Sequence, residues 1–395
     1  MMQRHIKICE VKFHDRFGGC AVIINNAKLV LKNEVLETGS LLIENGIIAG
    51  ISASPIAGSE ALDAGGAVIM PGFIDIHIHG CCGIDFMDAG TEDYNAVSEA
   101  LYSEGVTTYL ATTLTSDRSS LEKVASSVKE AVKTNPSLGG IHLEGPYISE
   151  EQKGAQNAAY IRNADMNEIM KLQELSGGNV RYITLAPEKE GALEFIPQAV
   201  KAGVTVSAGH TGAGFADIEK AIGAGLTNTT HTHNAMTPHH HRKPGVVTAA
   251  MYFDSLFCEM ICDGIHVCPD SVKTFYKVIG EDRFIIVTDA LKIKHSDTET
   301  FRLFGLDCVR RDGAAYLASG PLAGSLLTMD SGLRNMRKWT GAPLTALAKI
   351  TSTNAARSLG FSDRGEIAEG KLADLVMLDG NLNVKAVYKS GKKVF

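Results

Sequence analysis

Two histidines, His77 and His79, end an apolar run that begins at Pro71 and is followed at once by Gly80. Residues i and i+2 of a β-strand point to the same face, so the two imidazoles are expected to project together. The glycine lets the backbone turn and open a loop at the carboxyl end of that strand. Two imidazoles aimed at one point suit a divalent metal ion, although such a pair taken alone is more often a hydrogen-bonded core or surface pair.

Other apolar runs also end in residues that could bind a metal or carry a proton, each just before a turn: Glu144, His210, His231 and Asp289. If these runs are parallel strands of one barrel, all six side chains meet at its carboxyl end, where the active sites of such barrels lie. One of them alone would be explained as a core histidine or as a carboxylate that caps a helix. Six unpaired polar groups in one place would cost several kcal/mol each, so the set predicts a metal centre.

Imidazole and carboxylate ligands favour Zn(II) or Fe(II) over magnesium or calcium. Such an ion lowers the pKa of a bound water molecule, so that hydroxide becomes available near neutral pH. Asp289 follows the run Ile285-Ile286-Val287-Thr288 and can take the proton of that water and pass it to a leaving amine. The chemistry predicted from these residues is metal-dependent hydrolysis.

From Gly72 to about Leu291 the chain alternates short apolar runs with helical patterns such as Thr91–Glu104 and Ser116–Lys133. This alternation indicates βα units around a parallel sheet. The predicted strands are Phe73–His79, Val106–Thr112, Gly140–Glu144, Val180–Ala186, Val204–His210, Leu226–His231, Phe257–Asp263 and Arg283–Asp289. Eight such units favour a closed (β/α)8 TIM-like barrel over an open sheet.

The flanking segments have a different character, with short alternating runs broken by turns at Glu44-Asn45-Gly46, Asp379-Gly380 and Ser390-Gly391. Such strands at both ends, with a barrel between them, predict a small β-sandwich domain built from two distant pieces. The expected division is residues 1–70 and 346–395 for the small β-domain and residues 71–345 for the hydrolase barrel.

The composition is that of a soluble globular protein, with 395 residues, 45% hydrophobic and 21% charged. A net charge of −7 without a basic block argues against nucleic acid or an anionic membrane as the main partner. No apolar stretch approaches the ~18 residues needed to cross a bilayer, and residues 1–10 show no secretory signal. A cytoplasmic protein is expected.

Eight cysteines are few for this length and lack the spacing of a disulfide framework. Cys258, Cys262 and Cys268 could form a zinc cluster, but the first two lie in an apolar run typical of a buried strand. Reduced, packed thiols are expected instead.

Nine segments resemble, in their order along the chain, the N-acetylglucosamine-6-phosphate deacetylases of the amidohydrolase superfamily. The matching segments are PGFIDIHIHG, HLEGP, SAGHT, THTHNAM, HRKPG, CDGIHV, VTDA, LAGS and GKLADLVMLD. The last of these would indicate only the superfamily, whereas the set covers nearly the whole chain. The resemblance implies hydrolysis of N-acetyl-D-glucosamine 6-phosphate to D-glucosamine 6-phosphate and acetate, in amino-sugar catabolism or recycling.

The resemblance also implies roles for single residues. Glu144, His210 and His231 match the principal metal ligands, and Asp289 matches the catalytic acid and base. His77 and His79 match a pair that holds a second metal in some members, so one or two ions per subunit are expected. The positions that match substrate contacts are Ala155, Gln156, Asn234, Ala235, Arg242, Asp263, His266, Leu322, Ala323 and Gly324.

Two of these substrate positions, Arg242 and His266, are expected to reach the site of a neighbouring subunit, which implies a homodimer. Arg242 also suits a phosphate dianion by its chemistry, although a solvated basic loop would explain it too. Gln156 stands where some members have a histidine; an amide can donate a hydrogen bond but cannot act as an acid. The roles of His233 and of His239 to His241 are left open.

Two other functions are compatible with the residues. A cyclic-amide hydrolase or base deaminase of the same superfamily commonly bridges two metals with a carboxylated lysine, but here Glu144 supplies a carboxylate and no lysine ends a strand. That alternative function would also assign no role to Arg242 and His266. A non-catalytic scaffold would be expected to lose ligands or the acid and base, whereas this chain keeps all six positions.

Overall fold

The barrel is a sheet of parallel strands in which each strand pairs with the next one along the chain. The structure, a computed structural model, describes residues 21–58, 61–303 and 305–395. Within these residues the eight barrel strands, called first to eighth below, are Phe73–Ile78, Val106–Thr113, Leu138–Glu144, Val180–Leu185, Thr205–Ala208, Asn228–Thr229, Phe257–Ile261 and Phe284–Val287. Each lies within two or three residues of a predicted strand, so the predicted barrel is confirmed.

The ring of strands is closed by backbone hydrogen bonds between the chain around His77 and the chain around Asp289. The Asp289 amide donates to the His77 carbonyl at 2.8 Å, and the His79 amide donates to the Ala290 carbonyl at 2.9 Å. The buried carboxylate of Asp75 adds a bond from the Thr288 hydroxyl at 2.6 Å. Closure of the barrel therefore brings two predicted metal-binding strands together at their carboxyl ends.

An α-helix lies between each pair of consecutive barrel strands and buries apolar side chains. The helix Arg118–Ala131 begins at the cap Asp117, whose side chain accepts the Ser120 amide, and it buries Leu121 and Val124 against the barrel. The helices of the described residues are Asp93–Tyr102, Arg118–Ala131, Ala158–Tyr160, Met166–Ser176, Ala192–Lys201, Phe215–Ala224, Val246–Tyr252, Pro269–Ile279, Met329–Thr340, Leu344–Ala348, Lys349–Thr353 and Asn354–Ser358.

Segments from both sides of the barrel form the small β-domain, as predicted. Its strands are Ala21–Val30, Val35–Glu44, Ile47–Ser52, Leu62–Asp63, Val68–Pro71, Leu375–Leu378, Val384–Lys389 and Lys392–Lys393. The predicted tight turn at Asn45-Gly46 joins two of them, and both residues have positive φ, 51° and 80°. A separate apolar core that includes Leu41, Ile69 and Leu375 fills this domain.

The division of the chain at 70 and 346 stays a prediction, because its first 20 residues lie outside the described residues. The helices from Leu344 to Ser358 bury Ile350, Ala355 and Ala356 in the same core as the barrel strands. This stretch therefore packs against the barrel, while the Ser352 hydroxyl also donates to the Pro71 carbonyl of the small β-domain.

A four-stranded antiparallel sheet follows the eighth barrel strand, where no further strands are predicted. Its strands are Thr300–Leu303, Leu306–Arg311, Ala314–Leu317 and Leu322–Ser325. Leu303, Cys308 and Ala315 pack with Leu114 and Leu291 from loops at the barrel mouth. Much of the first two strands is exposed, so the sequence lacks the alternating apolar pattern that would predict them. The sheet covers one side of the mouth.

A hairpin of two further short strands, Gly80–Cys81 and Ile84–Asp85, follows the first barrel strand. No helix of the described residues is long and apolar enough to cross a membrane.

A buried ion pair within the small β-domain lies against the second barrel strand, where Lys389 Nζ is 3.5 Å from the Thr108 hydroxyl. Lys389 Nζ lies 2.7 Å from Asp374 Oδ2, and both side chains are 3% exposed. The Asp374 carbonyl accepts the Gly72 amide directly before the first barrel strand. Burial lowers the pKa of Lys389, and Asp374 opposes that shift.

Replacement of Lys389 by methionine should destabilise the protein by about 3–5 kcal/mol, because it leaves the Asp374 carboxylate buried without a cation. The measurement is a urea denaturation curve of the variant and the wild type. Lys133→Met is the matched control, since Lys133 and Glu130 form an exposed pair and their loss should not measurably change the midpoint. Equal shifts for the two variants would contradict a role for burial.

Candidate metal centre and active site

All six predicted strand-end side chains meet at the carboxyl end of the barrel. They form two groups whose ligand atoms lie within 4.8 Å of one another, His77, His79 and Asp289 in one and Glu144, His210 and His231 in the other. Five of the six residues are buried, while the Asp289 side chain is 13% exposed. Asp289 is thus the member that faces the opening of the site.

The second group has the dimensions of a metal site. Glu144 Oε1 lies 3.1 Å from His210 Nε2 and 3.1 Å from His231 Nε2, and the two nitrogens are 3.1 Å apart. A triangle with such edges suits nitrogen and oxygen ligands that each bind one ion at about 2.0–2.2 Å. His210 donates through its other nitrogen, Nδ1, to the Gln152 carbonyl at 2.9 Å, which directs Nε2 toward the centre.

Glu144 also joins the second group to the first. Its Oε1 lies 3.2 Å from His77 Nε2, and its Oε2 lies 3.4 Å from His79 Nε2. Asp289 Oδ1 lies 3.4 Å from His77 Nε2 and 3.1 Å from His79 Nε2. One carboxylate therefore stands between two sets of ligands.

The backbone turns sharply at three of the six residues. His210, His231 and Asp289 have φ values of 48°, 31° and 49°, in the left-handed region. Non-glycine residues rarely adopt this conformation, and it is concentrated at functional sites where the surrounding structure enforces it. At each of these residues the chain turns away from the direction of the preceding strand.

The pKa values of the buried carboxylate and histidines in this site depend on one another. Burial alone would raise the pKa of Glu144, but His77 and His210 hold it well below its usual value. Burial would lower the pKa of His77, but Asp289 and Glu144 raise it well above its usual value. Burial likewise opposes the effect of Glu144 on His210, whose pKa is raised. Ionised carboxylates in this site thus require positive charge beside them.

The residues fit a divalent metal ion. His77 Nε2 is buried without a hydrogen-bond partner although it faces two carboxylates, as expected of a ligand atom. Imidazole and carboxylate donors are those of divalent transition metals. The described residues contain no metal-binding group that includes a cysteine; Cys258 is buried in the seventh strand, and Cys262 is buried directly after it. The alternative zinc cluster is thus not supported.

Gln156 lies directly against the metal centre. Its Nε2 donates to Glu144 Oε2 at 2.5 Å, and its Oε1 accepts the Thr115 amide at 2.7 Å. Because an amide N–H can only donate, the Thr115 bond fixes which end of the Gln156 side chain faces Glu144. Ala155 packs beside it with the apolar cluster at the mouth.

Other predicted substrate positions lie on loops around the opening. Asn234 is bonded to the His231 carbonyl, and Ala235 turns the chain with a φ of 49°. His266 Nδ1 is 2.6 Å from Asp263 Oδ2. Burial would lower the pKa of His266, but Asp263, and Asp289 more weakly, raise it. His266 is therefore held by contacts of its own subunit.

The strand Leu322–Ser325 brings the segment Leu322, Ala323 and Gly324 to Asp289. The Ser325 amide donates to the Asp289 carbonyl at 2.9 Å, and the Leu291 amide donates to the Ser325 carbonyl at 3.1 Å. A Cβ on Gly324 would lie 2.8 Å from the Leu291 side chain, so glycine permits this close approach.

Arg242 makes no hydrogen bond or ion pair with the metal-binding groups within the described part of the subunit. It lies in the run 238–244, which is exposed throughout. Its guanidinium has no hydrogen-bond or ion-pair partner among the described residues. His240 Nδ1 accepts the Arg242 and Lys243 amides and so organises the loop.

Two buried residues next to the metal ligands were not predicted to have roles there. His142 lies two residues before Glu144, but its nitrogens bond the Ile76 carbonyl and the Thr184 hydroxyl, and its pKa is lowered by burial and His77. Glu259 accepts a hydrogen bond from His77 Nδ1. The one sequence signal for it is a lone glutamate within the apolar strand Phe257–Ile261.

Known proteins are similar to this chain over most of its length. The model of the amidohydrolase family matches residues 68–394. The N-acetylglucosamine-6-phosphate deacetylase of Bacillus subtilis is 37% identical over 375 residues, which cover 92% of this chain and 94% of the relative.

Two solved structures are similar over almost their whole length. The N-acetylglucosamine-6-phosphate deacetylase of Thermotoga maritima has a TM-score of 0.87 and 37% identity, covering 94% of this chain and 99% of that chain. A variant of the Mycobacterium smegmatis enzyme, solved in complex with N-acetyl-D-glucosamine-6-phosphate, has a TM-score of 0.91 and 32% identity, covering 95% and 100%.

Metal binding should release protons. In the metal-free protein the pKa values of His77 and His210 are raised, so their imidazoles hold protons that a metal ion must displace, and affinity should fall as the pH falls. Calorimetric titration with zinc near neutral pH, in buffers of different ionisation enthalpy, should show net proton release. The His77→Asn variant should release fewer protons. Identical heats in all buffers would contradict this description of the site.

Proposed function

Because this chain belongs to the amidohydrolase family, and within it to the N-acetylglucosamine-6-phosphate deacetylases, we propose that it hydrolyses the acetamide of N-acetyl-D-glucosamine 6-phosphate. The products are D-glucosamine 6-phosphate and acetate, as in the breakdown or recycling of amino sugars. The observation that carries the proposal is the set of six ligand and proton-transfer groups at one barrel end. Their chemistry suits amide hydrolysis.

The metal centre is assigned to two groups of ligands. Glu144, His210 and His231 would hold the principal ion, and His77 and His79, with Asp289 beside them, would hold a second one in a protein that binds two ions. We propose Zn(II) or Fe(II), because imidazole nitrogens dominate the ligand set. When bound, such an ion activates a water molecule for attack and polarises the carbonyl of the amide.

Asp289 is the proton carrier of the proposed reaction. Burial alone would raise its pKa, but His77 and His79 keep it lowered, so the carboxylate is ionised at neutral pH and ready to accept a proton. Its side chain is 13% exposed, more than those of the other five residues, which supports its access to a substrate. It takes a proton from the attacking water and then delivers it to the departing amine nitrogen.

Gln156 orients the reacting groups without transferring a proton. Its Oε1 is occupied by the Thr115 amide, so its amide nitrogen faces Glu144 and carries a second N–H group that a substrate could accept. An N–H group there can donate to the acetamide oxygen as negative charge develops on it. The histidine of other members could also act as an acid, and that role is not assigned to Gln156.

The sugar and its phosphate are assigned to the loops around the opening. Asn234, Ala235, Asp263 and His266 are half-buried there, and a positively charged His266 beside Asp263 suits a polar or anionic substrate group. The segment 322–324, which lies next to Asp289, is assigned to the part of the site that would bind the acetyl group of the substrate.

A homodimer would explain Arg242. Its guanidinium lies on an exposed loop without a carboxylate partner among the described residues, so it is free to bind the phosphate of a substrate in a neighbouring subunit. For His266 the same role in the neighbouring site stays a prediction, since its contacts lie within its own subunit. The cytoplasmic location also stays a prediction.

A cyclic-amide hydrolase is less well supported. The position between the two ligand groups is occupied by Glu144, whose carboxylate contacts histidines of both groups. The match to deacetylases also extends over 92% of the chain.

Replacement of Asp289 by asparagine should lower kcat by about 10²- to 10⁴-fold, because the amide cannot accept the proton of water. KM should change little, since the sugar and phosphate contacts remain. Steady-state acetate release gives both constants, and metal analysis of the same sample controls for loss of ions. A kcat close to that of the wild type, with the metal retained, would refute the assignment.

The contribution of Arg242 to a neighbouring site can be tested with mixed dimers. Arg242→Ala and Asp289→Asn subunits, each inactive alone, are co-expressed with different tags and the mixed species is isolated. One of its two sites then combines an intact Asp289 with an intact Arg242 from the partner, so about half of the wild-type rate is expected. Lys243→Ala in place of Arg242→Ala is the matched control, since this subunit should be active alone. Absence of recovered activity would place Arg242 in its own subunit's site.

A further inference from the structure

We propose that Glu259 is the positioning residue of the metal centre, acting on one ligand from each of the two ligand groups. This inference rests on the proposed metal-dependent function but not on the identity of the substrate. Glu259 is the middle residue of the seventh barrel strand, Phe257–Ile261, and is fully buried. It contacts no lysine or arginine within the described part of the chain.

The Glu259 carboxylate accepts hydrogen bonds from three residues at the base of the active site, His77, His231 and Tyr182. His77 Nδ1 lies 3.0 Å from its Oε2, and the His231 amide donates to the same oxygen at 3.2 Å. The Tyr182 hydroxyl donates to Oε1 at 2.6 Å. The carboxylate thus joins the first, fourth and sixth strands to the seventh directly below the ligands.

The bond to His77 determines which ring nitrogen can bind a metal. A carboxylate oxygen can only accept, so Nδ1 must carry the proton. The other nitrogen, Nε2, is then free to offer its lone pair, and it faces Glu144 at 3.2 Å and Asp289 at 3.4 Å without a hydrogen-bond partner. A carboxylate behind a histidine ligand fixes the orientation of the ring and makes it a stronger donor.

The orientation of the His77 ring is also restrained by packing. The His142 ring meets it edge to face with a centroid distance of 4.6 Å, and the Tyr182 ring meets His142 at 4.5 Å. Since Tyr182 donates to Glu259, the carboxylate and the edge-to-face rings restrain His77 from two directions.

The bond to the His231 amide acts on the second ligand group. His231 has a left-handed φ of 31°, directly beyond the end of the sixth strand at Thr229. The Glu259 carboxylate satisfies the amide exposed by this turn, and the next amide, that of Thr232, donates to the Glu259 backbone carbonyl at 2.8 Å. Glu259 thereby holds the turn that presents His231 Nε2 to Glu144.

A purely structural role is the alternative, because a buried carboxylate that bridges four strands also stabilises the barrel. The two roles differ in what they change. A structural residue affects the free energy of unfolding, whereas a positioning residue affects metal affinity at equal stability.

The test compares Glu259→Gln with Glu104→Gln. Glu104 is a matched control because it is also buried, 2.8 Å from Lys294, and accepts the Met329 amide, while none of these partners belongs to the metal groups. Zinc affinity is measured by competition with a chromophoric chelator, and thermal unfolding of the metal-free proteins is measured alongside.

Glu259→Gln should weaken zinc binding by about 10- to 100-fold, whereas Glu104→Gln should leave it unchanged even if its unfolding temperature falls. Zinc affinity of Glu259→Gln equal to that of Glu104→Gln would overturn the proposal. Because the readout is metal affinity, the result does not depend on which amide the protein hydrolyses.

A second measurement uses the wild type and so does not depend on the folding of a variant. In the zinc-loaded protein with ¹⁵N-labelled histidine, the nitrogen resonances of His77 should show a proton on Nδ1 and none on Nε2. A proton on Nε2, or an Nδ1 without one, would also overturn the proposal.

Discussion

The burial of the Glu144 carboxylate is the constraint on which the rest of the site depends. It is 2% exposed, and its two oxygens lie within 3.4 Å of nitrogens from His77, His79, His210 and His231. A buried carboxylate is costly unless positive charge and hydrogen bonds compensate it. In the metal-free protein the raised pKa values of His77 and His210 favour protons that provide this charge, and a bound divalent ion would provide it instead. Metal binding is therefore coupled to proton release from the histidines.

The fold provides the compensation by bringing distant segments to one point. The ring of strands closes through backbone bonds between His77 and Asp289 and between His79 and Ala290, so the same pairing completes the barrel and the first ligand group. The four-stranded sheet then returns to Asp289 through Ser325 and covers one side of the mouth. Below the ligands, Glu259 extends the network of charge and hydrogen bonds into the barrel core.

The sequence was sufficient to predict the barrel and the meeting of six strand-end side chains at its carboxyl end, because both follow from local patterns. The spacing of His77 and His79 is meaningful since the strand continues to Ile78. The same spacing in His231 and His233 misleads, because the sixth strand ends at Thr229 and His233, with a φ of 86°, packs against Phe275. Beyond the end of a strand, the alternation of faces no longer holds. Glu259 could not be predicted, since a lone glutamate in an apolar strand has no spacing that reveals its partners.

The most direct test of the account is acetate release from N-acetyl-D-glucosamine 6-phosphate by protein first stripped of metal and then reloaded with Zn(II) or Fe(II). The unphosphorylated sugar is assayed alongside. The account predicts acetate only after reloading, and efficiently only from the phosphorylated sugar. Full activity of the stripped protein, or no acetate from the reloaded protein, would contradict it.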